Sequence, residues 1–161
     1  MFRKLLATPN DPTLTLLRLA LGIVMFAHGA QKALGWFGGN GFSATMGFFT
    51  HSGIPAPFAF LAICAEFLGG LGLILGLLAR IGAFGIVVNM LVAILTVHLA
   101  NGFFMNWAGA KKGEGFEYHI LAIAIGLVII VKGAGAYSLD GAIERSQPQP
   151  LGGRLEPHRA H

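Results

Sequence analysis

Residues 57–80, PFAFLAICAEFLGGLGLILGLLAR, decide the fold. From Pro57 to Ala79 the run holds 23 residues and one charge, Glu66. At ~1.5 Å per residue, a helix of that length crosses the ~30 Å hydrocarbon core of a bilayer. Three further stretches have the same character, so four spans are expected, over 14–34, 57–79, 81–101 and 118–137. Only 11% of the residues are charged and the mean hydropathy is +0.70, against about a quarter charged in a soluble domain. The expected fold is therefore all-α, an integral membrane four-helix bundle. One domain covers 14–140, after an N-terminal segment over 1–13 and before a polar, Pro-containing tail over 141–161 that reads as disordered. Arg3 and Lys4 resemble the start of a signal peptide, but TPNDPT interrupts before the apolar run and no small-residue cleavage site follows. The segment is kept with the first span.

The net charge of +4 is distributed as membrane topology distributes it, not as a nucleic-acid surface does. With four spans, the termini and the link between spans 2 and 3 share a face. That face carries Arg3, Lys4, Arg18, Arg80, Lys132, Arg145, Arg154 and Arg159, whereas the other carries Lys32, Lys111 and Lys112. The excess places both termini in the cytoplasm. Trp36 and Trp107 then fall at the outer boundary, where interfacial aromatic anchors belong.

Spans 2 and 3 are joined by little more than Ala79-Arg80 and must be antiparallel neighbours. The outer connections are rich in Gly and Phe, and SATMGFFT in the first suits a short helix lying in the interface. The glycines of EFLGGLGLILG and IGAFG suit close helix packing, within the bundle or against a second copy of the chain. Cys64, alone in the sequence, has no intramolecular disulfide partner and reads as a small buried hydrophobe.

Ionisable groups inside spans cost a few kcal/mol each and are functional candidates by default. His28 lies roughly 9 Å and Glu66 roughly 13 Å below the outer ends of their spans. His98 and Asn101 end span 3, and Glu114, Glu117 and His119 begin span 4. Arg18, Gly22, Met25, His28 and Lys32 form one stripe at about 100° per residue, while Asn89 falls half a turn from His98 and stands apart. Four readings follow. Glu66 pairs with Arg18 or Lys32 as an internal clamp. Alternatively, Glu66 and His28 handle protons in a pocket open to the outer side, where Lys32, His98, Glu114, Glu117, His119 and Arg18 bind a ligand such as a quinone. His28, His98 and His119 with a carboxylate could instead hold haem or a metal ion, although neither HxxxH nor ExxH spacing occurs, so no metal ligand is assigned. A transport path is the fourth, disfavoured by the lack of broken helices and inverted repeats.

As a set, RLALGIVMFAHGAQKALGWFGG, EFLGGLGLILGLLAR, HLANGFF, GEGFEYHILAIAIGL and GAGAYSLD resemble the DoxX family over roughly 14–141. The resemblance implies a four-helix bundle in the bacterial inner membrane, associated with membrane oxidoreductase systems that include quinone-reducing ones. Its patterned polar positions fall on Arg18, His28, Lys32, Glu66, Arg80, His98, Glu114 and Glu117. The expected protein is an oxidoreductase subunit with a quinone or similar redox-active molecule in its outer half. It lies in the lipid bilayer with another membrane or soluble oxidoreductase subunit as partner. The alternatives are a non-catalytic membrane scaffold or assembly factor, and third a small-molecule or proton transporter.

Overall fold

The structure, a computed structural model, describes residues 2–147. Its elements are α1 (Phe2–Leu6), α2 (Pro12–Leu34), α3 (Gly41–His51), α4 (Ala56–Leu75), α5 (Ala79–Ala93), α6 (Glu117–Lys132) and α7 (Leu139–Ser146). Beyond Ala93 the α5 axis continues through a π turn, Ile94–His98, and a 3-10 turn, Leu99–Asn101. The described chain is all-helical, and three helices are long and apolar enough to cross a membrane: Pro12–Leu34, Ala56–Leu75 and Ala79–Asn101.

Local chemistry sets the boundaries. Asp11 caps α2 by accepting from the Thr13 amide at 2.8 Å, and Pro12 at the first position lacks an amide that would go unmet. The same helix stops at Gly35, whose φ of 74° is the left-handed conformation of a C-terminal cap. Gly76, at φ 65°, ends α4 before the expected limit at 79.

The fourth expected span, 118–137, is shorter than its hydropathy indicated. α6 has 16 residues, about 24 Å of helix, and falls outside the three membrane-length helices. It ends at Gly133 (φ 94°), and residues 133–136 fold back as a buried plug. There the Thr15 hydroxyl donates to the Ala136 carbonyl at 2.6 Å and the Ala136 amide to the Asp11 carbonyl at 3.0 Å. The apolar character of GAGA thus reflects burial in protein, which hydropathy alone does not separate from burial in lipid.

α2 packs on α4, α4 on α5 and α5 on α6, and a sparser α2–α6 seam closes the ring. Leu21, Met25, Leu73, Ala83, Ile86, Met90, Ala122 and Ile129 fill the centre. Glycine allows the α2–α4 backbones to touch: a Cβ at Gly29 would lie 2.3 Å from the Phe67 nitrogen, and one at Gly70 2.4 Å from that of Phe26. The helix expected over SATMGFFT is present within α3, which has no buried residue and lies against α2 and α4.

At the end holding α1 and α7, buried side chains satisfy the helix termini. Arg18, 1% exposed, donates to the carbonyls of Leu73, Ile74, Ala134 and Tyr137, relieving the last turn of α4. Arg80 does the same for Ile130 and Val131 at the end of α6, and also reaches Ala7. Asp140 caps α5 from outside, accepting from the Leu78 amide at 2.7 Å and the Ala79 amide at 2.9 Å. The tail expected to be disordered from 141 therefore begins as helix through Ser146, tied down by Asp140 and by the Thr8 amide donating to Glu144 at 3.2 Å. Residues 148–161 of that tail lie outside the described residues.

Candidate functional site

The site begins where α2 and α4 are closest. With Gly29 pressed on the Glu66–Phe67 backbone, Lys32 is one turn further out and its ammonium reaches the buried Glu66 carboxylate. Of the two pairings left open, Glu66 takes Lys32 and not Arg18. Arg18 stands fourteen residues earlier, about 21 Å down the helix, where its donors hold carbonyls. It does not join the outer cluster.

Asn89 does join it. Its amide donates to the second Glu66 oxygen at 2.9 Å, so both oxygens have a partner. Helical phase had set Asn89 apart from His98; a π turn at Ile94–His98 intervenes, and its wider turns rotate His98 away from the α-helical register. An available signal was the hairpin itself. Glu66 lies ten residues before Gly76 and Asn89 ten after Ala79, and antiparallel neighbours equidistant from their turn share a depth.

On the far side of the cluster, α6 contributes Tyr118 and His119. The Tyr118 ring is 6.4 Å from that of His28, and the His119 ring 4.1 Å from that of His98, between centroids. Glu66 lies within Coulombic reach of both His28 and Tyr118. His119 is 6% exposed, and its Nδ1 and the Tyr118 hydroxyl are buried without a hydrogen-bond partner among the described residues. Most buried polar groups in proteins are paired, so these two adjacent atoms are exceptions, as is Arg80 Nε near the other end of the bundle. Tyr118 is not among the site residues expected from sequence, although it shares a helical sector with Glu114 and Glu117.

The remaining expected ligand residues serve the loops. His98 Nδ1 donates to the Glu114 carbonyl at 2.9 Å. The Glu114 carboxylate accepts from the Asn106 amide at 2.6 Å, and that of Glu117 from the Met105 amide at 2.9 Å. They fold the connection between Asn101 and α6 over the end of the bundle opposite α1 and α7. A separate cleft of about 360 Å³ lies between the end of α2, the Gly38–Gly39 turn and α3, with Lys32, Gln31, Thr45 and Phe49 among its walls. Lys32 thus faces the cleft on one side and Glu66 on the other. Among the described residues no three His, Cys, Asp or Glu side chains converge as metal ligands.

The DoxX family profile matches residues 13–99, which include Lys32, Glu66, Asn89 and His98. "Putative oxidoreductase CatD" of Bacillus subtilis (strain 168) is 32% identical over 114 residues, 71% of this chain and 75% of its own length. No solved structure matches the chain. With a family match over more than half its length and a relative of that similarity, this all-helical membrane protein belongs to the DoxX family.

Proposed function

We propose that the chain is a membrane subunit of an oxidoreductase system that binds a quinone in the outer half of its bundle. In this reading it lies in a bacterial inner membrane with both termini cytoplasmic, and α6 with the plug after it makes the fourth crossing of a single domain over 14–140. The carrying observation is the pair of buried, partnerless groups, Tyr118 hydroxyl and His119 Nδ1, beside the Glu66–Lys32–Asn89 cluster. A quinone carbonyl supplies the acceptor they lack. Reduction of a quinone takes up two electrons and two protons; a partner subunit provides the electrons, and Glu66 and His28 pass the protons. The relative's printed name, an oxidoreductase, supports the same class.

Satisfaction of both Glu66 oxygens favours a second reading, a membrane scaffold with the cluster as its clamp. Quinone binding to the protein in nanodiscs, measured with Tyr118→Phe, separates the two. Losing one hydrogen bond worth about 0.5–1.5 kcal/mol weakens binding about 2- to 13-fold. Removing an unmet hydroxyl leaves the melting temperature unchanged or raises it. Absence of saturable quinone binding by the unmodified protein would sink the ligand reading in favour of the clamp.

A further inference from the structure

We propose that the polar cluster of His28, Tyr118 and His119 is reached sideways from the bilayer between α2 and α6, with His28 at the point of entry, by a ligand dissolved in lipid. This rests on the quinone reading and adds the route and the ligand's physical class. Helix α2 meets α6 through Leu21, whose side chain lies 3.9 Å from the position of a Cβ on Gly126. Two turns outward the residues facing across the same seam are His28 and Tyr118, their rings 6.4 Å apart and unbonded. The His28 side chain is exposed on the outside of the bundle and has no hydrogen bond among the described residues. An imidazole at that depth costs free energy against hydrocarbon unless a polar group meets it. Across the seam, α6 carries the partnerless Tyr118 hydroxyl and, at the next residue, His119 Nδ1.

The other approaches are obstructed. From the outer end, the loop before α6 closes the way through the His98–Glu114, Met105–Glu117 and Asn106–Glu114 bonds. From the α3 cleft, whose wall includes Lys32, the Lys32–Glu66 ion pair bars the way. The seam needs no such bond to be broken. Its lips are apolar: Val24, one turn below His28, is 38% exposed, and Leu121, three residues beyond Tyr118, is 65% exposed. A quinone carbonyl that meets His28 and Tyr118 from the bilayer side leaves an apolar tail over Val24 and Leu121 in the hydrocarbon. That is the chemistry of a quinone bearing an isoprenoid tail.

The test uses the full chain in proteoliposomes and a benzoquinone with a diazirine at the first unit of its isoprenoid tail. After irradiation, labelled peptides are mapped by mass spectrometry with and without excess unlabelled quinone. The expected result is labelling of α2 around Val24 and of α6 around Leu121 that competitor removes. His28→Leu, which breaks no hydrogen bond among the described residues, lowers that labelling at least about 3-fold; unchanged labelling would remove His28 from the point of entry. Competable labelling at Phe48 and Phe49 of α3 would overturn the lateral route while leaving quinone binding intact. No competable labelling anywhere would overturn both.

Discussion

Glu66 has Lys32 on one oxygen and Asn89 on the other, and 7% of its side chain is exposed. Removing one partner from such a pair leaves a buried charge unmatched, at a cost of about 3–5 kcal/mol. Replacing both by neutral groups of similar shape costs far less, because the desolvation penalty disappears with the charges. Lys32→Met is therefore expected to lower the melting temperature in detergent sharply, and Lys32→Met combined with Glu66→Gln to regain most of the loss. A double variant as unstable as the single would show that the pair does not act as a unit. If the cluster is also a ligand site, the restored double variant still loses quinone binding, whereas a mere clamp has no binding to lose. From sequence, Lys32 and Arg18 were equal partners for Glu66, since both lie on one stripe of the first span. Contact at Gly29 settles the matter, and contact between helices is not a property of either helix alone.

At the scale of the element, the α2–α4 seam depends on glycines at which no side chain fits. Gly29→Ala would put a methyl carbon 2.3 Å from a backbone nitrogen, which only a displacement of the helices relieves. Overpacking of this kind costs about 1–3 kcal/mol or more, and here it also draws Lys32 away from Glu66. Gly47 in α3 is the control, since nothing lies within 4 Å of its virtual Cβ. Gly47→Ala is expected to leave the melting temperature unchanged or slightly raised, through helix propensity alone. Equal effects of the two substitutions would contradict the close approach. The four apolar runs, the α4–α5 hairpin and the α3 helix were all legible, because each rests on local composition and period. The π turn before His98 was not: an extra residue per turn leaves no mark in hydropathy, yet it decides which neighbour His98 meets. Likewise GAGA after α6 looked like the end of a span because its partners, Thr15 and Asp11, lie more than a hundred residues away in the chain.

Across the whole molecule the two ends differ in what their polar groups do. At the α1–α7 end, Arg18, Arg80 and Asp140 cap helix termini and anchor the bundle, although Arg80 Nε is left without a partner among the described residues. At the other end Tyr118 and His119 keep unspent hydrogen-bonding capacity. Arg18 therefore contributes little to topology, which rests on the charges left at the surface of the capped end: Lys4, Lys132 and Arg145 are exposed there. Lys111 and Lys112 are exposed at the opposite end, where the Asn106 side-chain amide donates to the Lys111 carbonyl and accepts from the Lys111 amide, holding a tight loop. The proposed orientation, capped end inside, predicts that green fluorescent protein fused after Gln147 fluoresces and alkaline phosphatase at the same point is inactive. Fused within the loop at Lys112, the two reporters should behave in the opposite way. Phosphatase activity at both positions would mean an odd number of crossings, with the 16-residue α6 failing to span. Because the partnerless pair lies at the end of the bundle away from the caps, the same fusions also fix the side of the membrane nearest to it.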